Sequence, residues 1–206
     1  MKKIVLILAL TAALPTLANA NNLVTNGSFE ANAQGNGSWS VYSALTGWTL
    51  ASGPGIELRN NVAGTASDGV NYVELDSYGN SSIYQIITTT LGADYELYFD
   101  YSARISQLAN TNGIEAYWNN DKLTTVTAKG GSINNWNTLS FNVTGTGNDK
   151  LTFKAVGISD QLGGNIDNIS LTAVDVQVSS VPEPSTYALF LAGLGLLGVS
   201  ARRRLF

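Results

Sequence analysis

Glu74 and Asp76 are the first pair in this 206-residue chain whose spacing could do chemistry. On an extended strand they share a face about 7 Å apart, within the roughly 5–9.5 Å over which two carboxyl groups run glycoside hydrolysis. The same spacing describes a hydrated outer sheet face beside a turn. No cleft-forming insertion accompanies the pair, so the hydrated face is the preferred reading. Aromatic residues offer a second chemistry, because their rings pack on sugar C–H bonds while amides and carboxylates bind the hydroxyls. Trp39, Tyr42, Tyr78, Tyr84, Trp118 and Trp136 lie in or beside polar stretches. Tyr78, Trp118 and Trp136 are the sugar-binding candidates, with partial burial the competing reading for each. Tyr78, within Ser77–Ser81, is the least core-like. Histidine and cysteine are absent, which excludes Ser-His-Asp and Cys-His nucleophiles, the usual zinc sites and disulfides. No catalytic residue is assigned.

The elements that must position these residues are strands. Tyr95, Leu97, Phe99 and Tyr101 alternate with Glu96, Tyr98 and Asp100, the period of two of a half-buried strand. Similar runs occur at Gly55–Arg59, Tyr72–Leu75, Ile83–Thr88, Ile114–Trp118, Leu123–Thr127, Thr138–Val143, Leu151–Val156 and Ile166–Thr172. Turn-rich stretches such as Ala109–Gly113 and Gly145–Asp149 separate them. Such short strands in about 150 residues predict an all-β, two-sheet antiparallel sandwich, most simply a jelly roll. Phe29, Trp48, Phe99, Phe141 and Phe153 fall in strand patterns and are expected in its core.

The ends of the chain carry different signals. Met1-Lys2-Lys3, the apolar Ile4–Leu14 and Ala18-Asn19-Ala20 form the three parts of a secretory leader, residues 1–20, implying signal peptidase and the export machinery. At the other end Val181-Pro182-Glu183-Pro184-Ser185 must be extended, because closely spaced prolines forbid helix and ladder. An apolar run, 187–201, follows and is stopped by Arg202, Arg203 and Arg204, as positive charge does on the cytoplasmic side of a membrane. The run is shorter than the roughly 20 residues of a usual span, and Gly193, Gly195 and Gly198 weaken it further. A plain membrane anchor is the alternative to a transient signal. The tail, 181–206, resembles the PEP-CTERM sorting signal of Gram-negative bacteria. That resemblance implies transient anchoring by a transmembrane helix in the inner membrane, processing by an exosortase, and delivery to the outer surface or extracellular matrix.

Without the ends, residues 21–174 form the expected domain and 175–180 a linker. Of 11 basic residues five lie in the end segments, and of 15 acidic residues only Glu183 does, so six face fourteen, near −8. Such a charge excludes nucleic acid as a partner, since backbone phosphates would be repelled. It suits cations.

Thr25-Asn26-Gly27-Ser28-Phe29-Glu30 with Gly47-Trp48, Gly69–Leu75, Ile83–Gln85, Gly92–Leu97 and the closing Ile166–Leu171 resemble galactose-binding-like jelly rolls. That superfold includes many bacterial carbohydrate-binding modules. The resemblance implies a structural Ca²⁺ that ties the two ends of the domain together through Glu30 and Asp167; Asp68 and Asp76 are further candidates without a motif. Without the metal, Glu30 would end a strand in solvent and Asp167 would cap a turn. The expected function is a non-enzymatic surface or matrix protein that contacts extracellular polysaccharide in biofilm or floc. A secreted polysaccharide hydrolase and a ligand-free coat protein are the alternatives.

Overall fold

Apolar–polar alternation lays down twelve strands: β1 (Ser38–Tyr42), β2 (Ala44–Leu45), β3 (Trp48–Ser52), β4 (Ile56–Asn60), β5 (Asn71–Glu74), β6 (Ser82–Thr88), β7 (Asp94–Ser102), β8 (Ile114–Trp118), β9 (Asp121–Val126), β10 (Asn137–Thr144), β11 (Asn148–Ala155) and β12 (Asn165–Ala173). The computed structural model describes residues 21–174, 189–194 and 196–197. The expected leader 1–20, the linker 175–180, the motif Val181–Ser185 and Arg202–Arg204 lie outside the described residues.

The strands form two six-stranded antiparallel sheets. Sheet A runs β1-β4-β5-β12-β7-β10 and sheet B runs β2-β3-β6-β11-β8-β9. Hairpins join β2 to β3, β4 to β5 and β8 to β9, while every other connection crosses between sheets, the wrapping of a jelly roll. The nine runs read from alternation correspond to β4–β12. The first three strands escaped because they are short and polar: β1 reads Ser-Trp-Ser-Val-Tyr on a sheet edge, and β2 has two residues.

The inner faces meet on an aromatic centre. Phe29, Phe99 and Phe153 are wholly buried and Trp48 nearly so; Phe141 is partly buried against them. Phe99 stands edge-on to Phe153 with centroids 4.8 Å apart, and Trp48 lies 5.7 Å from Phe29. Such tilted pairs add about 0.5–1.5 kcal/mol each beyond area burial. Tyr95, Leu97, Phe99 and Tyr101 all face inward, as their period requires.

The Asn26–Glu30 motif closes the sandwich at its chain ends. Ile169 N donates to Gly27 O at 3.1 Å where β12 bulges between Asp167 and Ser170. A Cβ at Gly27 would stand 2.0 Å from Ile169 O, so only glycine fits. Asn26 O accepts from the Trp48 indole, and its side chain joins Ala31 N to Thr46 O.

The chain divides after Val174. In the second unit residues 189–194 and 196–197 are helical, with Leu189, Phe190, Leu191, Leu194, Leu196 and Leu197 exposed. Among the described residues no helix is long and apolar enough to cross a membrane; residues 187–188, 195 and 198–201 of the expected span lie outside them.

Candidate functional site

The outer face of sheet A carries the site. Alternation that turns Ile56, Leu58, Val73 and Leu75 into the core turns Glu57, Arg59, Tyr72 and Glu74 the other way. Register then sets them in rows. Trp39, Arg59 and Tyr72 are cross-strand partners in one row, and Val41, Glu57 and Glu74 in the next. This face is not hydrated, as the strand pattern suggested. Glu57, Arg59, Tyr72 and Glu74 are all buried, and Val62, Arg104, Trp136 and Gly163 reach over them from four separate connections.

Buried charge demands partners, and the network supplies them. Arg59 Nη2 lies 2.6 Å from Glu57 Oε1 and 2.5 Å from Glu74 Oε2. Arg104 Nη1 donates to both oxygens of Glu74, at 2.9 and 2.8 Å, and to Gln161 O. Gly163 N adds a third donor to Glu74 at 2.7 Å. Burial pushes the Glu74 carboxyl up to about 7, against the pull of Arg59 and Arg104. Burial likewise raises Glu57 despite Arg59 beside it. Burial opposes the charge of Arg59, yet Glu74 and Glu57 outweigh it and hold the guanidinium above its usual value. Glu57 Oε1 is close to Arg59 without hydrogen-bond alignment, and Arg59 Nε has no partner.

Asp76 is equally hidden. Its Oδ2 accepts N–H groups of Asp160 and Gln161 at 2.9 Å and of Leu162 at 3.4 Å. The sequence pair is therefore corrected: Glu74 and Asp76 are buried anchors of the 159–163 connection, and neither lines the cavity that opens beside Trp39 and Tyr78.

Above the network opens a cavity of about 410 Å³, lined by Trp39, Glu57, Arg59, Val62, Ala63, Ser77, Tyr78, Arg104, Asp160, Gln161 and Leu162. Trp39 and Tyr78 are its aromatic residues, 45% and 62% exposed. Tyr78 stands where its polar surroundings placed it. Trp118 does not: at 5% exposure it is a core residue, its indole donating to Thr144 O. Its parity with Ile114 and Ala116 was the signal. Trp136 is half-buried, edge-on to Tyr72 at 5.8 Å and bonded through Nε1 to Thr65 O, and it does not line this cavity. Tyr84 packs under Lys150, whose ammonium lies 4.4 Å from the ring centroid.

At the Asn60–Asn71 end of β4 and β5 the chain gathers carboxylates without arginine. Asp167, fully buried, accepts N–H groups of Ser67 and Asp68 on Oδ2 and of Asn168 on Oδ1, at 2.7–2.9 Å. Burial lifts its carboxyl to about 7, although these N–H groups favour the ionised form. Asp100, its cross-strand partner, accepts Ser67 Oγ, Asn168 Nδ2 and Thr138 Oγ1. Glu30 is exposed, and its Oε1 accepts Val70 N and Asn71 N at 2.7 and 2.6 Å. Glu30 and Asp167 thus clasp one loop, residues 67–71, from two sides. Asp68 belongs to that loop, whereas Asp76 lies beyond the far end of β5. Among the described residues no group of three or more His, Cys, Asp or Glu is placed to hold a metal.

Fold and site define a two-layer β-sandwich with an aromatic-rimmed, charged-floored cavity on one outer face. The tail adds an address: residues 180–204 match the PEP-CTERM protein-sorting motif, which marks an exported protein, anchored in a membrane and then delivered to the surface through exosortase processing. Over 81% of its length the chain is 31% identical to a multifunctional-autoprocessing repeats-in-toxin of Vibrio vulnificus, but it spans only 3% of that toxin. Among solved structures it is similar to a family 16 carbohydrate-binding module (TM-score 0.48, 14% identity, 73% of this chain and 99% of that one). It is similar also to a family 35 carbohydrate-binding module from Clostridium thermocellum (TM-score 0.45, 14% identity, 66% and 99%).

Proposed function

We propose that this chain is a non-catalytic protein of the outer surface or extracellular matrix of a Gram-negative bacterium, binding extracellular polysaccharide in biofilm or floc. The leader 1–20 directs export and is removed by signal peptidase. The apolar run 187–201 holds the chain in the inner membrane until exosortase acts at Val181–Ser185. The observation that carries the binding role is the cavity itself: exposed Trp39 and Tyr78 rim a floor of partly unpartnered charged groups. Aromatic rims with a few polar groups are the makings of a sugar site. Weak single sites gain strength when many copies share one surface. The test is retention of the purified protein on immobilised polysaccharide, with no release of reducing sugar. Retention lost in Trp39→Ala and Tyr78→Ala supports the reading; hydrolysis would replace it with the enzyme. Mass spectrometry of the protein from its host is expected to find a new C-terminus within 181–185, and an intact Phe206 would argue for a permanent anchor.

A structural calcium at Glu30 and Asp167 forms part of the same proposal. Its support is chemical. Carboxylate, amide and carbonyl oxygens are the donors Ca²⁺ takes, and no ion pair among the described residues neutralises Glu30, Asp68, Asp100 or Asp167. Asn60 and Asn71 share a cleft with Glu30, and each keeps a buried Oδ1 with no partner. The two carboxylates would hold the ion, with the orphaned oxygens as further donors on the Glu30 side, and it would supply charge neutralisation and no reaction chemistry.

A further inference from the structure

The binding role proposed above leaves open which sugars the Trp39–Tyr78 cavity takes. An anionic polymer of uronate units and a neutral polymer of hexose or pentose units both carry rings for an aromatic rim, and they differ in charge. The floor decides between them.

Two guanidiniums line the cavity, and at first sight they invite a carboxylate. Their charge is already spent. Arg59 Nη2 faces Glu57 and Glu74 together, and Arg104 Nη1 is shared between both oxygens of Glu74 and Gln161 O. Asp160 lines the cavity as well, its Oδ1 accepting Thr111 Oγ1. An incoming carboxylate would therefore meet Glu57, Glu74 and Asp160 against two arginines, in a place where low dielectric strengthens every repulsion. Freeing an arginine to greet it would strand Glu74, wholly buried, without its counter-charge.

The capacity left over is of another kind. Arg59 Nε is a buried donor without a partner, and Glu57 Oε1 a buried acceptor without an aligned one. A donor and an acceptor two residues apart on one face of β4 suit adjacent hydroxyls, because each hydroxyl both gives and takes a hydrogen bond. Unsatisfied buried groups cost free energy until a ligand meets them. The exposed faces of Trp39 and Tyr78 complete the arrangement by packing on the apolar face of a sugar ring.

We infer that the cavity binds uncharged sugar units through a vicinal hydroxyl pair on Glu57 and Arg59, and discriminates against uronates. The inference rests on the polysaccharide-binding reading, and one experiment separates the two. The full chain is run through native gels containing galactan, xylan, mannan or mixed-linkage glucan, and in parallel through gels containing polygalacturonate or alginate. At least one neutral polymer is expected to retard it, with affinity at least about tenfold above that for either uronate polymer. Retardation should survive raising salt to about 0.5 M, where charge attraction is screened. Tyr78→Ala, which truncates an exposed side chain, should lower it about tenfold. Glu57→Gln, which keeps the acceptor oxygen and removes the charge, should narrow the preference for neutral polymers. Salt-sensitive retardation by uronates, equal to or stronger than by neutral polymers and lost in Tyr78→Ala, overturns the inference and leaves the binding role standing. Retardation by none of the six, or retardation indifferent to Tyr78→Ala, overturns the binding role itself.

Discussion

The two ends of β4 and β5 bury carboxylates on the same face of the same sheet, and balance them in opposite ways. At the Glu57–Glu74 end two arginines lie within ion-pair distance of the acids. At the Asn60–Asn71 end Asp100 and Asp167 are met only by backbone N–H groups, hydroxyls and an amide. A cluster that holds its own cations has no need of one from solution, and its remaining capacity is for neutral hydrogen-bonding groups. A cluster satisfied by dipoles alone has no counter-charge of its own, and a cation from outside would lower the energy of its ionised form. The polysaccharide and calcium proposals are therefore two consequences of how six basic residues are distributed among thirteen acids in the domain.

The comparison breaks most visibly at Arg59. Arg59→Ala leaves Glu57 and Glu74 buried with only Arg104 to answer them, and removing one partner of a buried ion network costs about 3–5 kcal/mol. Urea unfolding of this variant against the parent measures it; a loss below about 1 kcal/mol would mean that water already shields the network. Next in size is the calcium effect. At a free concentration about 100-fold above its Kd, a bound ion adds about 2.7 kcal/mol. Thermal unfolding is expected to shift upward with Ca²⁺ relative to chelator, to lose the shift in Asp167→Ala, and to keep it in Glu57→Gln. Equal melting temperatures with Ca²⁺ and chelator would remove the ion and with it half of the contrast. Smaller again is Gly69→Ala. Gly69 adopts φ +70°, and a Cβ there would lie 2.4 Å from Glu30 Oε1. The left-handed conformation alone costs about 1–2 kcal/mol, and displacing Glu30 should also weaken the calcium shift. An unchanged shift would separate Glu30 from the ion.

Legibility in the sequence divides along the same line. Period-two patterns fix which residues face the core, so β4–β12 and the inward ring of Tyr95, Leu97, Phe99 and Tyr101 were readable from local order. The pattern also says that Glu57, Arg59 and Glu74 face outward, and there the inference to solvent fails. What buries them is loop cover, much of it from far along the chain, such as Gln161 and Gly163 on the Glu74 network. Long-range cover leaves no local periodicity. Trp118 is the opposite case, a residue whose parity with Ile114 and Ala116 outranked its neighbouring turn. The Asn26–Glu30 motif was read as an ion-binding element. Its visible work is mechanical: Gly27 admits Ile169 of β12, and Asn26 holds Trp48.

The finest test of the contrast is pH, with effects on the order of 1 kcal/mol per pH unit for each titrating group. Burial raises Asp167 from 3.8, and Glu74 from 4.5, to about 7 in the fold. A raised carboxyl keeps its proton in the fold at a pH where the unfolded chain has lost it. The stability this contributes is fully present below about pH 4 and is lost as pH rises through about 7. In chelator, unfolding free energy should therefore fall between about pH 4 and 7, with both groups contributing. Calcium acts on one of them only. An ion at Asp167 favours the carboxylate, so its share of the slope should vanish or reverse, while the share of Glu74, set by burial against Arg59 and Arg104, should persist. The difference between the two pH profiles then isolates the arginine-free end from the arginine-paired one. If Ca²⁺ leaves the profile unchanged in shape, Asp167 does not bind it. If Asp167→Asn flattens the chelator profile completely, Glu74 is already ionised in the fold, and the arginines at its end do more than burial can undo.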